Sequence, residues 1–127
     1  MTSLDGLQKA LLCIRAALDK KALDLVVLDV GKLTSIADYL VICTGRSDRQ
    51  VQGIAQSVED ALVAEGARPI SIEGMQRGQW VLLDCVDVIV HVFYQPIREF
   101  YDLERLWQHA PRVQLPEPLR SQALAGH

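Results

Sequence analysis

The sequence predicts an α/β fold, a single-domain sandwich in which helices cover the faces of a mixed five-stranded sheet. One observation is that apolar residues recur at spacings of three and four in residues 4–18 and 51–62, which is typical of amphipathic helices. Another is that short runs of β-branched and large apolar residues separate and follow these helices, as in strands of a covered sheet. The third is size: 127 residues, half of them apolar, suffice for one core without metals or disulfides.

The first half of the chain contains the first helix and two strands. Residues 23–30 and 38–44 are rich in valine, leucine and isoleucine, which predicts a strand in each segment. Thr2 and Asp5 have the spacing of a capping box at the start of the helix. Apolar residues recur along that helix at Leu4, Leu7, Leu11, Ile14 and Leu18.

A second helix and a third strand follow. Ser47 and Gln50 have capping-box spacing, so the helix is expected to begin there and to run to about Gly66. Residues 68–73 alternate in polarity, but Pro69 has no N–H to donate to a neighbouring strand. This strand is therefore expected to begin late or to lie near an edge of the sheet.

Residues 80–107 form the centre of the predicted fold. Residues 80–84 and 87–93 predict two strands covered on both faces, joined by a turn short enough to make them antiparallel neighbours. Pro96 suits the first turn of a helix, so the sheet is expected to end there and a closing helix to begin. The apolar face of that helix is predicted from Ile97, Phe100, Leu103 and Trp107.

The C-terminal segment differs from the rest of the chain. Residues 111–127 contain three prolines and show little periodicity, which is typical of a loose, flexible tail. The domain is therefore expected to comprise residues 1–110. The tail is expected to contribute little to folding, although it could still contact a partner.

Composition limits the class of protein. No apolar run reaches the ~20 residues of a membrane-spanning helix, and the N-terminus has no features of a secretory or transit peptide, so we expect a cytoplasmic protein without membrane association. The net charge of −3 disfavours strong direct nucleic-acid binding and suits a basic protein partner. The three cysteines, Cys13, Cys43 and Cys85, lack CxxC spacing and are expected to be buried, reduced thiols.

Two segments could support nucleotide chemistry. Residues 44–47 (TGRS) join a strand to a helix start, where free N–H groups can hold an anion, but they lack the glycines and lysine of a phosphate loop. A nucleotidyl-transfer site would need paired carboxylates for magnesium, and only Asp48 follows Ser47. Asp84 and Asp87 form the other close pair, and aspartate is common at turns. The residues therefore favour a capped turn and a hairpin turn, and they predict no catalytic residue, metal site or cofactor.

Three further residues have two interpretations each. His91 lies in a predicted strand and could act as a general base, but a lone strand histidine is more often a hydrogen-bonded structural residue. Trp80 either caps the core or anchors an interface, because it lies beside a glycine-containing loop near the sheet edge. Met75, in the same loop, would add an adaptable apolar contact to such an interface.

Five segments together resemble the ribosome-silencing factor family, also called Iojap-like proteins. They are, in chain order, ADYLVICTGRSDRQV, the loop that begins with Glu73 and Gly74, WVLLD, DVIVHVF and REFYDLERLW. The match as a whole covers about residues 4–110. The resemblance implies an α/β fold similar to the nucleotidyltransferase fold, without its metal-binding aspartates. It also implies a non-enzymatic repressor that binds the large ribosomal subunit through its fourteenth ribosomal protein. Bound there, it would block joining of the small subunit and lower translation under nutrient limitation.

The resemblance extends to single residues. Trp80 corresponds to a tryptophan of the family's ribosomal-protein interface, Leu82 shares its strand face, and Met75 is added from its position alone. The family usually has glycine where this chain has Val86, and valine resists positive φ, so the hairpin turn is expected to differ in type or to be strained. Two alternatives from other classes are a nucleotide-using enzyme of the nucleotidyltransferase fold and a scaffold that forms a homodimer through a sheet edge.

Overall fold

A computed structural model describes residues 4–125. The predicted order of elements is confirmed as far as the closing helix, which is divided in two and followed by one more short helix. In chain order the elements are α1 (Gly6–Asp19), β1 (Leu23–Asp29), β2 (Tyr39–Gly45), α2 (Asp48–Ala64), β3 (Ser71–Glu73), β4 (Trp80–Asp84), β5 (Val88–Tyr94), α3 (Gln95–Tyr101), α4 (Leu103–Leu106) and α5 (Leu119–Ala125).

The predicted mixed five-stranded sheet is confirmed, with the strand order β1-β2-β5-β4-β3. β2 and β5 are parallel, and the other neighbouring pairs are antiparallel. The parallel pair arises because α2, β3 and β4 separate β2 from β5 in the chain and supply the long crossover that parallel strands require. β3 begins two residues after Pro69 and lies at the edge, as the proline predicts.

Each face of the sheet has its own apolar layer. α1 and α2 cover one face, and the main core beneath them includes Ile14, Ile54 and Val90, all fully buried. A smaller layer on the other face is centred on Phe93 and is covered by the short helices α3 and α4. Because α3 packs mainly on β5 and β2, side chains of β4 on this second face are only half-buried.

The capping box of α1 lies three residues later than predicted. The Asp5 carboxylate accepts a hydrogen bond from Gln8 N at 2.8 Å, and Gln8 Oε1 accepts one from Asp5 N at 3.0 Å. A carboxylate suits this position because the start of a helix carries partial positive charge. Thr2, the predicted cap, lies outside the described residues.

The start of α2 is linked to the end of α1. Ser47 caps α2 as predicted, since its hydroxyl accepts a hydrogen bond from Gln50 N at 3.0 Å. The Gln50 side chain does not return to Ser47, however. It accepts from Arg46 N at 2.6 Å and donates to the carbonyl oxygens of Lys20 and Lys21. The second half of the predicted capping box is thus replaced by a connection between the two helices.

The closing helix differs from the prediction because Asp102 interrupts it. Asp102 adopts φ +47°, a left-handed conformation that ends α3 before α4 begins. A left-handed residue breaks the 3.6-residue period, so apolar spacing counted across it does not define one face. Phe100, predicted to be buried, is 78% exposed, whereas Ile97 and Trp107 pack on the smaller layer as expected.

The structure also differs from the prediction of a loose tail after residue 110. Two backbone hydrogen bonds of 2.8 Å join residues 111–113 to the outer edge of β1. Further along, Leu119 of α5 is 4% exposed and forms part of the main core. The sequence does not reveal this packing, because a single irregular strand partner and one short helix leave no periodic pattern.

The turn between β4 and β5 is strained, as Val86 leads one to expect. Val86 adopts φ +74°, a region that a β-branched residue enters only at a cost. The Asp84 carboxylate accepts a hydrogen bond from Val86 N at 3.0 Å, and Asp87 forms an ion pair with Lys9 of α1 at 2.6 Å. Asp84 therefore has the predicted role of a turn aspartate, whereas the side chain of Asp87 connects the turn to α1.

The three cysteines are free and buried, as predicted. Burial raises the pKa of Cys43 and of Cys85 to about 12. Because the thiolate is the reactive form, these thiols are chemically inert at neutral pH.

Candidate functional site

Trp80 lies at one end of the half-covered sheet face, in contact with three other rings. Its ring centroid is 4.9 Å from that of Phe93, 5.0 Å from that of Tyr101 and 5.9 Å from that of His91. Its Nε1 donates a hydrogen bond to His91 Nδ1 at 3.0 Å. The side chain is half-buried: one part of the ring packs on the smaller apolar layer, as the core-capping interpretation predicts, and the rest is accessible. Its role as an interface anchor stays a prediction.

Side chains next to Trp80 on the same face form a surface that we call the open face, defined by Glu73, Trp80, Leu82, Asp84 and Ile89. Leu82 and Asp84 follow Trp80 at intervals of two on β4, and strand pairing places Glu73 of β3 opposite Leu82 and Ile89 of β5 opposite Asp84. Directly paired residues point to the same side of a sheet. Glu73 is exposed and the other four are half-buried, so this face presents apolar side chains with a carboxylate at each flank.

The structure does not bring Met75 to the open face. Its side chain packs against the main core, on the side of the sheet that α1 and α2 cover. Its carbonyl oxygen accepts a hydrogen bond from Gln52 Nε2 of α2 at 2.9 Å. Of the three predicted interface residues, Trp80 and Leu82 therefore lie together, whereas Met75 belongs to the opposite layer. The glycine-containing loop crosses from one face to the other, which its position in the sequence did not reveal.

His91 is the hydrogen-bonded structural residue that the sequence favoured, and the general-base interpretation is wrong for Nδ1. Because a tryptophan N–H can only donate, the Nδ1 lone pair that a base would use is already occupied. Burial lowers the pKa of His91 to about 4, so the ring is neutral at pH 7. The partnership with Trp80 was missed, although the hairpin register would have revealed it: a turn at residues 85–87 makes the two residues diagonal neighbours.

The carboxylates considered for nucleotide chemistry lie at a helix start and at the hairpin turn, and they do not form one site. Asp48 is the first residue of α2, and Asp84 and Asp87 lie at the opposite end of β5 from it and support the hairpin turn. Among residues 4–125, histidine, cysteine and carboxylate side chains do not assemble in any group of three that could bind a metal ion. Within the same range, none of the helices combines the length and apolar character needed to cross a bilayer.

A cavity of about 590 Å³ lies at the carboxyl ends of the parallel strands β2 and β5, beside α5. Its most buried charged side chain is Arg98, which donates to Thr44 Oγ1 and to the carbonyl oxygen of Asp24, both at 2.7 Å. A third bond runs from Arg98 Nε to Glu104 at 2.9 Å, and it lowers the pKa of that carboxyl group. Through these bonds from Nε and Nη1, the arginine joins α3, α4, β1 and β2.

The fold and these surfaces define a single-domain α/β protein with one sheet face closed by long helices and the other partly open. The chain belongs to the ribosomal silencing factor family: the family model described as "Ribosomal silencing factor during starvation" matches residues 4–126. This confirms the resemblance found in the sequence.

Relatives and solved structures agree with the assignment. A ribosomal silencing factor from Bacillus subtilis is 44% identical over 110 residues, which cover 85% of this chain and 93% of the relative. A chloroplastic Iojap protein from Arabidopsis thaliana is 32% identical over 108 residues and is matched over 45% of its own length. A crystal structure of a protein from Chromobacterium violaceum superposes with a TM-score of 0.81 at 36% identity, covering 91% of this chain and 98% of that one.

Proposed function

We propose that this protein represses translation by binding the large ribosomal subunit and sterically blocking its union with the small subunit when nutrients are limiting. Its relatives are named as ribosomal silencing factors, a name that describes regulation of the ribosome. The proposed contact on the subunit is its fourteenth ribosomal protein, and the proposed compartment is the cytoplasm, where subunits join. The single observation that carries the proposal is the open face, where Trp80 and Leu82 remain accessible beside carboxylates.

Apolar area would supply the affinity of this contact. Trp80, Leu82 and Ile89 are adjacent and half-buried, so a partner that covers them removes further apolar surface from water. Trp80 is held by three ring contacts and a hydrogen bond, so little side-chain entropy is lost when a partner covers it. A rigid, well-packed aromatic residue that borders other apolar side chains is a usual form of interface anchor.

The charge of the open face would determine which kind of partner binds. Glu73 and Asp84 flank the apolar residues of the open face, and the whole chain has a net charge of −3. Such a rim favours a basic protein surface over the phosphates of ribosomal RNA. Repression then requires only binding and bulk, since a bound domain in the path of the small subunit prevents joining without any chemical step.

Cosedimentation with purified large subunits tests the proposal, followed by a subunit-joining assay. We expect the wild-type protein to cosediment and to reduce joining, and Leu82→Ala to weaken both effects while the melting temperature changes little. Val63→Ala is the matched control, because it shortens a part-exposed apolar side chain on α2, in the layer on the opposite face. Equal loss in both variants, or no binding by the wild type, would contradict the proposal.

A second experiment addresses the nucleotide-using alternative. Calorimetry with magnesium and nucleoside triphosphates should show no tight binding, because the carboxylates near Ser47 and at the hairpin are not arranged as a metal-binding pair. Micromolar binding accompanied by turnover would favour the enzyme instead.

A further inference from the structure

The two ring nitrogens of His91 have different surroundings, and this fixes the position of its proton. Nδ1 accepts the hydrogen bond from Trp80 Nε1, so it must carry a lone pair. The ring is neutral at pH 7 because burial lowers the pKa of His91 to about 4. A neutral imidazole has one N–H. The proton is therefore on Nε2.

The Nε2–H group of His91 has no acceptor within the part of the chain that the structure describes. The only hydrogen bond of this side chain there is the one at Nδ1. In the same part of the chain, every side-chain nitrogen or oxygen that is fully removed from solvent has a hydrogen-bond partner. Nε2 must therefore reach solvent, through the 7% of His91 that is exposed. In the free protein, water can satisfy this donor.

His91 lies among the residues of the open face. It pairs directly with Leu82 across β4 and β5, and Ile89 precedes it by two residues on the same side of β5. A protein that covers Leu82 and Ile89 would displace the water at Nε2. The displaced hydrogen bond must then be replaced, because a buried N–H without an acceptor is costly.

We infer that His91 is a specificity-determining residue, whose Nε2–H donates a hydrogen bond to a main-chain carbonyl oxygen of the basic protein docked on the open face. This inference rests on the proposed function. A carbonyl oxygen is the fitting acceptor, since a carboxylate there would be repelled by Glu73 and Asp84. A partner that covers the face without placing an acceptor over His91 is penalised, which selects among basic proteins.

The first test is the wild-type protein, labelled with ¹⁵N at histidine and observed by NMR at pH 7. The expected spectrum has a protonated Nε2 and an unprotonated Nδ1. On addition of the isolated fourteenth large-subunit ribosomal protein, exchange of the Nε2 proton with water should slow markedly. A proton on Nδ1, or a complex in which Nε2–H exchanges as fast as in the free protein, would overturn the inference.

The second test compares two substitutions by cosedimentation with large subunits. His91→Asn can keep an acceptor for Trp80 through its short amide but has no atom at the position of Nε2, and we expect about tenfold weaker binding. His91→Gln extends an amide N–H toward that position and should bind within about threefold of wild type. Thermal melting of each variant shows whether it is folded.

The outcomes separate this inference from the proposed function. If the wild type fails to cosediment, the proposed function is wrong. If the wild type cosediments and folded His91→Asn binds equally well, the function stands and His91 does not contact the partner. Should either variant unfold, the exchange measurement on the wild-type complex decides the question alone.

Discussion

Replacing Val86 with glycine should stabilise the protein, even though it removes a side chain. Val86 holds φ at +74° in the β4–β5 turn, and a residue in such a conformation stores about 1–3 kcal/mol of strain. The isopropyl group is 62% exposed, so its removal forfeits little burial. Glycine relieves the strain but adds freedom to the unfolded chain, which costs about 0.5–1 kcal/mol. The net gain is therefore about 1 kcal/mol.

Thermal and urea unfolding measure this gain directly. For a domain of this size, 1 kcal/mol corresponds to a rise in melting temperature of about 3–5 °C. Val86→Ala is the matched control: it removes the β-branch but keeps a Cβ in the left-handed region, so it should gain less than glycine. Because Val86 lies outside the open face, Val86→Gly should bind large subunits as the wild type does. A melting temperature equal to or below that of the wild type would refute the reasoning about strain.

Three further predictions concern other parts of the molecule. Trp80→Ala should weaken large-subunit binding by about 2–4 kcal/mol, roughly thirty- to thousandfold, and should also lower the melting temperature because the ring packs on Phe93; unchanged cosedimentation would remove Trp80 from the site. Deletion of residues 111–127 should destabilise the domain by about 2–5 kcal/mol, since it uncovers β1 and removes the buried Leu119; a melt within a degree of wild type would contradict this. Burial lowers the pKa of His91 in the folded protein, so its contribution to stability is complete above pH 6.5 and decreases toward pH 4, by up to about 3 kcal/mol. The free energies of unfolding of the wild type and of His91→Asn should therefore converge as pH falls. Parallel curves would show that His91 does not titrate this way.

The arrangement of the sheet could be predicted from the sequence because local signals agreed with one another there. Pro69 placed β3 at an edge, and the short hairpin placed β4 beside β5. Continuous apolar runs marked the strands that both layers cover. In each case one residue type or one spacing has a single structural consequence, which does not depend on distant parts of the chain.

The errors arose where distant parts of the chain decide the outcome. Phe100 fits a helical period, but the left-handed residue Asp102 ends the helix, and Arg98 fixes α3 through contacts with β1 and β2. Leu119 is buried by elements that precede it by nearly the whole chain. Spacing along one segment contains no information about such contacts.

Prediction of the site was partial for the same reason. Trp80 and Leu82 share a face because a strand alternates, which the sequence shows. Met75 lies in a loop whose path across the sheet is set by its contact with Gln52 of α2, a residue more than twenty positions away. The donor role of His91 depends on Trp80, and it becomes visible only when the hydrogen-bond partner of each ring nitrogen is known.

Both outer edges of the sheet are protected, which affects how the protein behaves at high concentration. Open strand edges recruit strands from other molecules, which is how aggregates and fibrils grow. Here the outer edge of β1 is occupied by residues 111–113 of the same chain, and the edge strand at the other end, β3, is three residues long and follows a proline. Loss of the C-terminal segment would therefore do more than lower stability: it would expose a seven-residue strand rich in valine and leucine as a template for self-assembly.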